Sequence, residues 1–266
     1  HVGLYAKCDP GQQYPVTLTD CDATSGVNDA YRIFDSSAFT ATGCTATTPI
    51  GTESGFEVHS SNAVFVDCVA EDIATSGFFV NDCPSVTMNR CLALNAENGL
   101  YARDSTVSVT NCLFVGSSVG LGADASGSVS VDHATVIGGS HGLRSSGGHI
   151  TARNVVVQAP IGVLHWTGGS TTLDHVLIDA GTPYDGASAG SDDILKSPEF
   201  RDAANGDYRL AKGSPAINAG VDLTGTVDSD LLGAARPSHR RHDLGAYEYL
   251  EAEGSLRILE WKEAAK

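Results

Sequence analysis

Apolar and polar residues alternate along this chain in very short runs, and the runs restart at regular intervals. In 99–119, GLYARDSTVSVTNCLFVGSSV, Leu100 and Ala102 alternate with Tyr101 and Arg103. A polar break follows at Asp104-Ser105, Val107 and Val109 alternate with Ser108 and Thr110, and Asn111 interrupts before Cys112-Leu113-Phe114-Val115. Period-two runs of this length predict three short strands joined by tight bends. One such unit buries almost nothing alone, so it requires stacked copies.

The copies are present. The opening glycine recurs as Gly55, Gly77, Gly99, Gly120, Gly142 and Gly162, at spacings of 22, 22, 21, 22 and 20 residues. The residue before the third strand recurs as Gly43, Asp67, Arg90, Asn111, His133, Asn154 and His175, and most of these suit a left-handed bend. The next position reads Cys44, Cys68, Cys91, Cys112, Ala134, Val155 and Val176. Small and apolar side chains in register, with constant winding, predict an all-β chain: a single-stranded right-handed parallel β-helix of about eight rungs with an irregular C-terminal cap.

With its glycine-apolar-x-apolar openings and Asn-type bends, the chain resembles the right-handed parallel β-helix, or pectate-lyase-like, superfamily over roughly residues 1 to 180. That fold carries lyases, hydrolases, adhesins and inert stalks, so the resemblance implies fold more than activity. Residues 1–54 fit two looser rungs, with bends enlarged into loops around Asp9–Tyr14 and Thr45–Ser54, and 181–195 reads as a Gly/Ser/Asp loop closing the helix at residue 195. Residues 196–249, with SPAINAG and DLGAYEY, are similar to the segment that follows β-helices in secreted or surface bacterial proteins. The resemblance implies a secreted or cell-surface location. Physically, the segment is expected to return over the open coil end, where unpaired strand edges need cover. Residues 250–266 form a tail or linker carrying Leu256, Ile258, Leu259 and Trp261. The chain starts with a rung-like GLYAK, so self-association or a larger assembly through this first rung and the tail is expected.

Composition narrows the partners. The 266 residues carry 32 Asp and Glu against 16 Lys and Arg, a formal charge of −16, which argues against a nucleic-acid partner. There is no apolar run of the roughly 18 residues that a membrane span needs. Of seven cysteines, Cys21, Cys44, Cys68, Cys91 and Cys112 share one rung position, which reads as a ladder of buried thiols. Cys8 and Cys83, each near a proline, lie at the first bend, and their disulfide state is open. No metal site is expected from the cysteines. Asp202, Asn205 and Asp207, or Asp228 and Asp230, offer calcium-type oxygen donors, but turn formation is the favoured reading and no cofactor is assigned.

The outward positions hold the candidate chemistry. The second residue after each opening gives Tyr5, Arg32, Glu57, Phe79, Tyr101, Gly122, Arg144 and Leu164; the fourth gives Lys7, Phe34, His59, Asn81, Arg103, Asp124, Ser146 and Trp166. Four of the six cations in 1–180 fall on this ribbon. Rings stack on sugars and guanidinium forks hold carboxylates, so Tyr101, Arg103, Arg144, Phe79 and Trp166 are the candidate polysaccharide-binding residues. His59, Tyr101, Arg103 and Asp124 are candidates for catalysis, with Asp104 and Asp124 the one attractive carboxylate pair. Two classes follow. The preferred one is a structural or adhesive, glycan-binding module. The other is a polysaccharide-processing enzyme, a lyase acting on a uronic-acid-containing polymer.

Overall fold

A computed structural model describes residues 4–7, 14–25, 29–48 and 53–251, with 5–7 as backbone. Three parallel strands make each coil, and every strand pairs with its equivalent one coil on. In the first-strand sheet the register runs Tyr31↔Phe56, Phe56↔Phe78, Phe78↔Leu100, Leu100↔Leu121, Leu121↔Leu143 and Leu143↔Val163. The fold is the right-handed parallel β-helix that the periodicity predicts. No described helix is long and apolar enough to cross a membrane.

The columns explain the coil. Inward rings of Tyr31, Phe56 and Phe78 stack at 4.8 and 5.0 Å, and Phe65 meets the last two edge-on. The opening glycines permit this density: a Cβ on Gly99 would lie 2.4 Å from the Gly120 carbonyl oxygen and 2.7 Å from Phe114 Cβ. Residues 67, 90, 111, 133, 154 and 175, which precede the third strand, all have φ of 52–54°. A second left-handed column, Asp35, Ser60, Asp82, Asp104 and Ala125, closes the first bend. The six described cysteines are all free thiols. Cys44, Cys68, Cys91 and Cys112 are fully buried, and burial pushes the Cys91 thiol well up. Cys83 is equally buried and donates to the Val58 carbonyl at 3.4 Å.

Three expectations are corrected. Thr45–Thr48 is not loop but a third strand, paired with Asp22–Thr24 and Val69–Ile73. Within 181–195, Thr182–Asp185 adds one more first strand beside Ile161–His165. Residues 196–249 do not fold over the coil end. They lie along the flank, on outward residues of the third strands: Leu231, Ala246 and Tyr247 pack on Val69, Leu92 and Leu113, and Leu210, Ala216 and Leu244 on Val156 and Leu177. The apolar outward column demands that cover, since each fully buried Leu or Val is worth about 1.5–3 kcal/mol. The expectations placed on Cys8, Asp9–Gln13 and 252–266 lie outside the described residues.

The flank segment is locked by polar contacts. The buried Arg236 guanidinium donates to Glu248 at 2.7 Å and to the Gly245 carbonyl at 2.8 Å. Asp243 accepts from the Asn218 and Tyr249 backbones. Asn154 donates to the Val221 carbonyl and accepts its N–H at 2.8 and 2.7 Å. The DLGAYEY pattern is therefore a structural knot.

Candidate functional site

The outward ribbon keeps its sequence register: Arg32↔Glu57, Glu57↔Phe79, Phe79↔Tyr101, Tyr101↔Gly122, Gly122↔Arg144 and Arg144↔Leu164 are paired neighbours, as are Phe34↔His59, His59↔Asn81, Asn81↔Arg103 and Arg103↔Asp124. Its aromatic members form a ladder. Phe34 and His59 stack at 4.5 Å, His59 meets Phe79 edge-on at 5.6 Å, and Phe79 stacks on Tyr101 at 5.7 Å. An arginine closes each end: Arg32 lies 5.4 Å over Phe34 and Arg144 5.6 Å over Tyr101.

The two ends differ in charge. At the first, Arg32 pairs with Asp29 at 3.2 Å and Glu57 at 3.0 Å, and His59 Nε2 lies 2.6 Å from Glu57. Ser54 N–H donates to Asp29. Burial, then the hydrogen bond with Glu57, pushes the Asp29 carboxyl from its ordinary 3.8 up to about 7. Burial also works to raise Glu57, but hydrogen bonds with His59 and Asp29 and the Arg32 charge outweigh it and hold Glu57 down. The two neighbouring carboxyls are thus pushed apart in proton affinity, Asp29 up and Glu57 down. Among the described residues, Asp29, Glu53 and Glu57 are also the acids whose ligand atoms gather within 4.8 Å of one another. Arg32 already supplies the positive charge there. Asp29 is not among the sequence candidates because it precedes the coil opening. The juxtaposition of Arg32, Glu57 and His59 is readable from their columns.

At the second end, the Tyr101 hydroxyl donates to Asp124. Burial and that hydrogen bond raise the Tyr101 phenol. Arg103 is exposed and lies 3.7 Å from Asp104, whose carboxylate accepts from the Ser126 hydroxyl and N–H at 2.6 and 3.1 Å. Trp166 is 62% exposed.

The catalytic candidates therefore do not converge. Tyr101 and Asp124 meet, and Arg103 is their neighbour, but His59 lies two coils away, bound to Glu57. Asp104 and Asp124 turn to different partners, Ser126 and Tyr101. Phe79 is embedded in the ring ladder, whereas Arg144 and Trp166 stand at its open end. In the flank segment, both Asp207 oxygens accept from Arg209 and Asp230 accepts backbone N–H groups of Leu232, Ala234 and Glu248. Asp202 accepts from Asn205, and Asp228 from the Gly225 N–H. These oxygens are engaged by partners within the segment 196–249 itself.

A parallel three-strand coil with such a ribbon defines a class of solenoid proteins. The chain belongs to the right-handed β-helix family: the family model for the "Right handed beta helix region" matches residues 3–175. Among solved structures it is similar to the crystal structure of pectate lyase Pel9A, with 13% sequence identity and a TM-score of 0.53, over 93% of this chain and 86% of that one. At that identity the likeness speaks for the fold. The search of curated proteins gives no match.

Proposed function

We propose that this chain is a secreted or cell-surface β-helix module that binds a polysaccharide along the open end of its first-strand ribbon. One observation carries the reading: on a chain of net charge −16, this stretch brings together two guanidiniums, Arg103 and Arg144, with an exposed indole, Trp166. Rings and guanidiniums are the side chains that grip sugars and their acidic groups. A straight, periodic surface matches a linear polymer. The structural or adhesive role follows from binding without turnover.

The second reading, a lyase acting on a uronic-acid-containing polymer, draws on the Tyr101–Asp124 contact beside Arg103 and on the fold shared with a pectate lyase. It ranks below the first because His59 is committed elsewhere and Tyr101, with a raised phenol, is a poor base. A glycan array followed by incubation with uronic-acid polymers separates the two. Binding with no rise in ultraviolet absorbance from unsaturated ends supports the module. A rise that Tyr101→Phe abolishes supports the lyase. No binding to any glycan overturns both.

A further inference from the structure

Gly122 is the one residue without a side chain in the outward column between Arg32 and Leu164. Backbone geometry does not explain it, since Gly122 is not among the left-handed glycines. Core packing does not explain it either. A Cβ on Gly99 or Gly120 would strike within 2.4 Å of neighbouring atoms, whereas the nearest atoms to one on Gly122 would be Tyr101 Cδ2 and Cε2, at 3.3 and 3.7 Å, and Arg144 Nη2, at 3.8 Å. The missing side chain serves those two groups. It leaves a notch in which the Arg144 guanidinium folds back over the Tyr101 ring.

Arg144 is also unusual in its partners. Arg32, Arg90, Arg103 and Arg153, the other described solenoid arginines, each pair with a carboxylate, at 3.0, 2.6, 3.7 and 2.7 Å. Among the described residues, Arg144 has no ion-pair partner, and its buried Nε has no hydrogen-bond acceptor. Asp124, on the same ribbon, gives its carboxylate to Tyr101 instead. An orphan guanidinium on a chain with twice as many acids as bases calls for a reason.

We infer that the notch formed by Gly122, Tyr101 and Arg144 is a carboxylate subsite, and that it reads the uronic-acid units of the bound polymer. The inference rests on the polysaccharide reading above. The ring, 5.6 Å from the guanidinium carbon, limits how far Arg144 can wander, so its outer nitrogens meet a carboxylate at little ordering cost. Arg144 pairs in register with Leu164, and Trp166 follows on that next coil. One coil is a rise of about 4.8 Å, close to one pyranose of an extended chain. A sugar adjacent to the uronate therefore reaches the exposed indole for stacking. The ligand assigned is a linear polymer lying along the solenoid axis, with a free carboxylate beside a sugar ring that presents a flat face.

Oligogalacturonates of two to six units, their methyl esters and dextran sulfate are the probes, read by titration calorimetry and by quenching of tryptophan emission. The wild type is expected to bind the free acids at least about tenfold more tightly than the esters, a difference of about 1.4 kcal/mol. Arg144→Gln, and separately Gly122→Leu, should lose that discrimination with an unchanged melting temperature. Trp166→Ala should weaken acid and ester alike. Arg240→Gln, an exposed charge on the flank segment, should leave it intact. Discrimination that survives Arg144→Gln, or esters that bind as well as acids, overturns the subsite while leaving polysaccharide binding in place. Dextran sulfate binding through Arg144 as tightly as the oligouronates overturns the carboxylate assignment. Failure of the wild type to bind any glycan removes the underlying reading as well. If Gly122→Leu does not fold, Gly122→Ala and Arg144→Gln carry the test.

Discussion

On the first strand of each coil, Phe79, Tyr101 and Arg144 point away from the core and stay partly open to solvent; on the third, Val69, Leu92, Leu113, Val156 and Leu177 also point away from the core, and the segment 196–249 seals them. The backbone treats the two faces alike, with the same alternation and the same parallel pairing. The side chains decide. An outward column that is apolar coil after coil cannot face water, so chain lacking the repeat is spent covering it. Even its polar member is matched: Thr135 accepts the Ala246 N–H at 3.0 Å. On the first-strand face, the half-buried polar and aromatic column covers itself by ring and guanidinium stacking and needs no lid. Pointing outward is thus a property of the strand, and being surface is a property of the column.

The largest expected effect is on the sealed face. Leu113→Asp places an unpaired carboxylate against Leu231 and Tyr247 in a fully buried contact. Urea unfolding should show a loss above about 4 kcal/mol. A loss under about 1 kcal/mol would mean that the segment does not seal the flank. Next is the knot that holds the segment. Arg236→Met leaves the buried Glu248 without its ion-pair partner. That should cost about 3–5 kcal/mol and make 196–251 the first stretch cut in limited proteolysis. Loss of the solenoid before the segment would reverse the proposed order of stability.

Much of the fold was legible because the repeat states it many times over. One miscounted coil would break the columns of glycines, left-handed residues and cysteines, so each coil checks the others. The flank segment has no such redundancy. Its contacts join Asn154 to Val221 and Thr135 to Ala246, partners far apart in sequence with no period linking them. A readable signal existed in the apolar residues Val69, Leu92, Leu113, Val156 and Leu177 that follow ladder positions, which implied a cover for the flank and not for the coil end. Within the site, the columns were legible and the choice of partners was not. Whether Asp124 turns to Tyr101 or to Arg103, and whether Glu57 recruits Asp29 from outside its column, depends on side-chain geometry that alternation does not encode.

The two faces should also differ in their response to pH. On the flank, His133 and His242 stack at 5.1 Å with facing nitrogens 3.2 Å apart. Arg153 and Asn154 face them from the solenoid, and Arg236, Asp243, Glu248 and Asp222 from the segment. Burial first, and then Arg236 for His133, pushes that imidazole below its ordinary 6.5; burial does the same for His242, with Arg236 adding to it against Glu248 and Asp222. Folded values below the unfolded one mean stability that is present above pH 6.5 and lost as pH falls through that range. On the ribbon, Asp29 is raised to about 7, so its contribution is full below 3.8 and lost as pH climbs toward about 7, while Glu57, held below its ordinary 4.5, contributes in the opposite sense and offsets it. Urea unfolding between pH 7.5 and 4.5 should show each buried imidazole weakening the flank by about 1.4 kcal/mol per pH unit below its ordinary value, until it protonates in place. Release of 196–251 to protease at the acid end is expected with it, and His242→Phe should flatten the slope. A slope that His242→Phe leaves unchanged assigns the acid sensitivity to other groups.

The smallest effect is expected at Arg103. Its side chain is 57% exposed, on a strand whose inward neighbours Leu100 and Ala102 carry the packing. Among the described residues its one ion pair, to Asp104 at 3.7 Å, is long and faces solvent, and such pairs contribute little. Asp104 does not depend on it, because the Ser126 hydroxyl and N–H, ahead of Arg103, hold that carboxylate below its ordinary range. Alanine at 103 keeps the alternation and removes only a solvated arm. Arg103→Ala should therefore change unfolding stability by less than about 0.5 kcal/mol. It should, however, weaken binding of an anionic polysaccharide, and added salt should erase the difference between variant and wild type. A loss of stability comparable to that of Leu113→Asp would place Arg103 inside and invert the register of the whole ribbon. Unchanged stability with unchanged glycan affinity at low salt would remove Arg103 from the binding surface and leave Arg144 as its one cation.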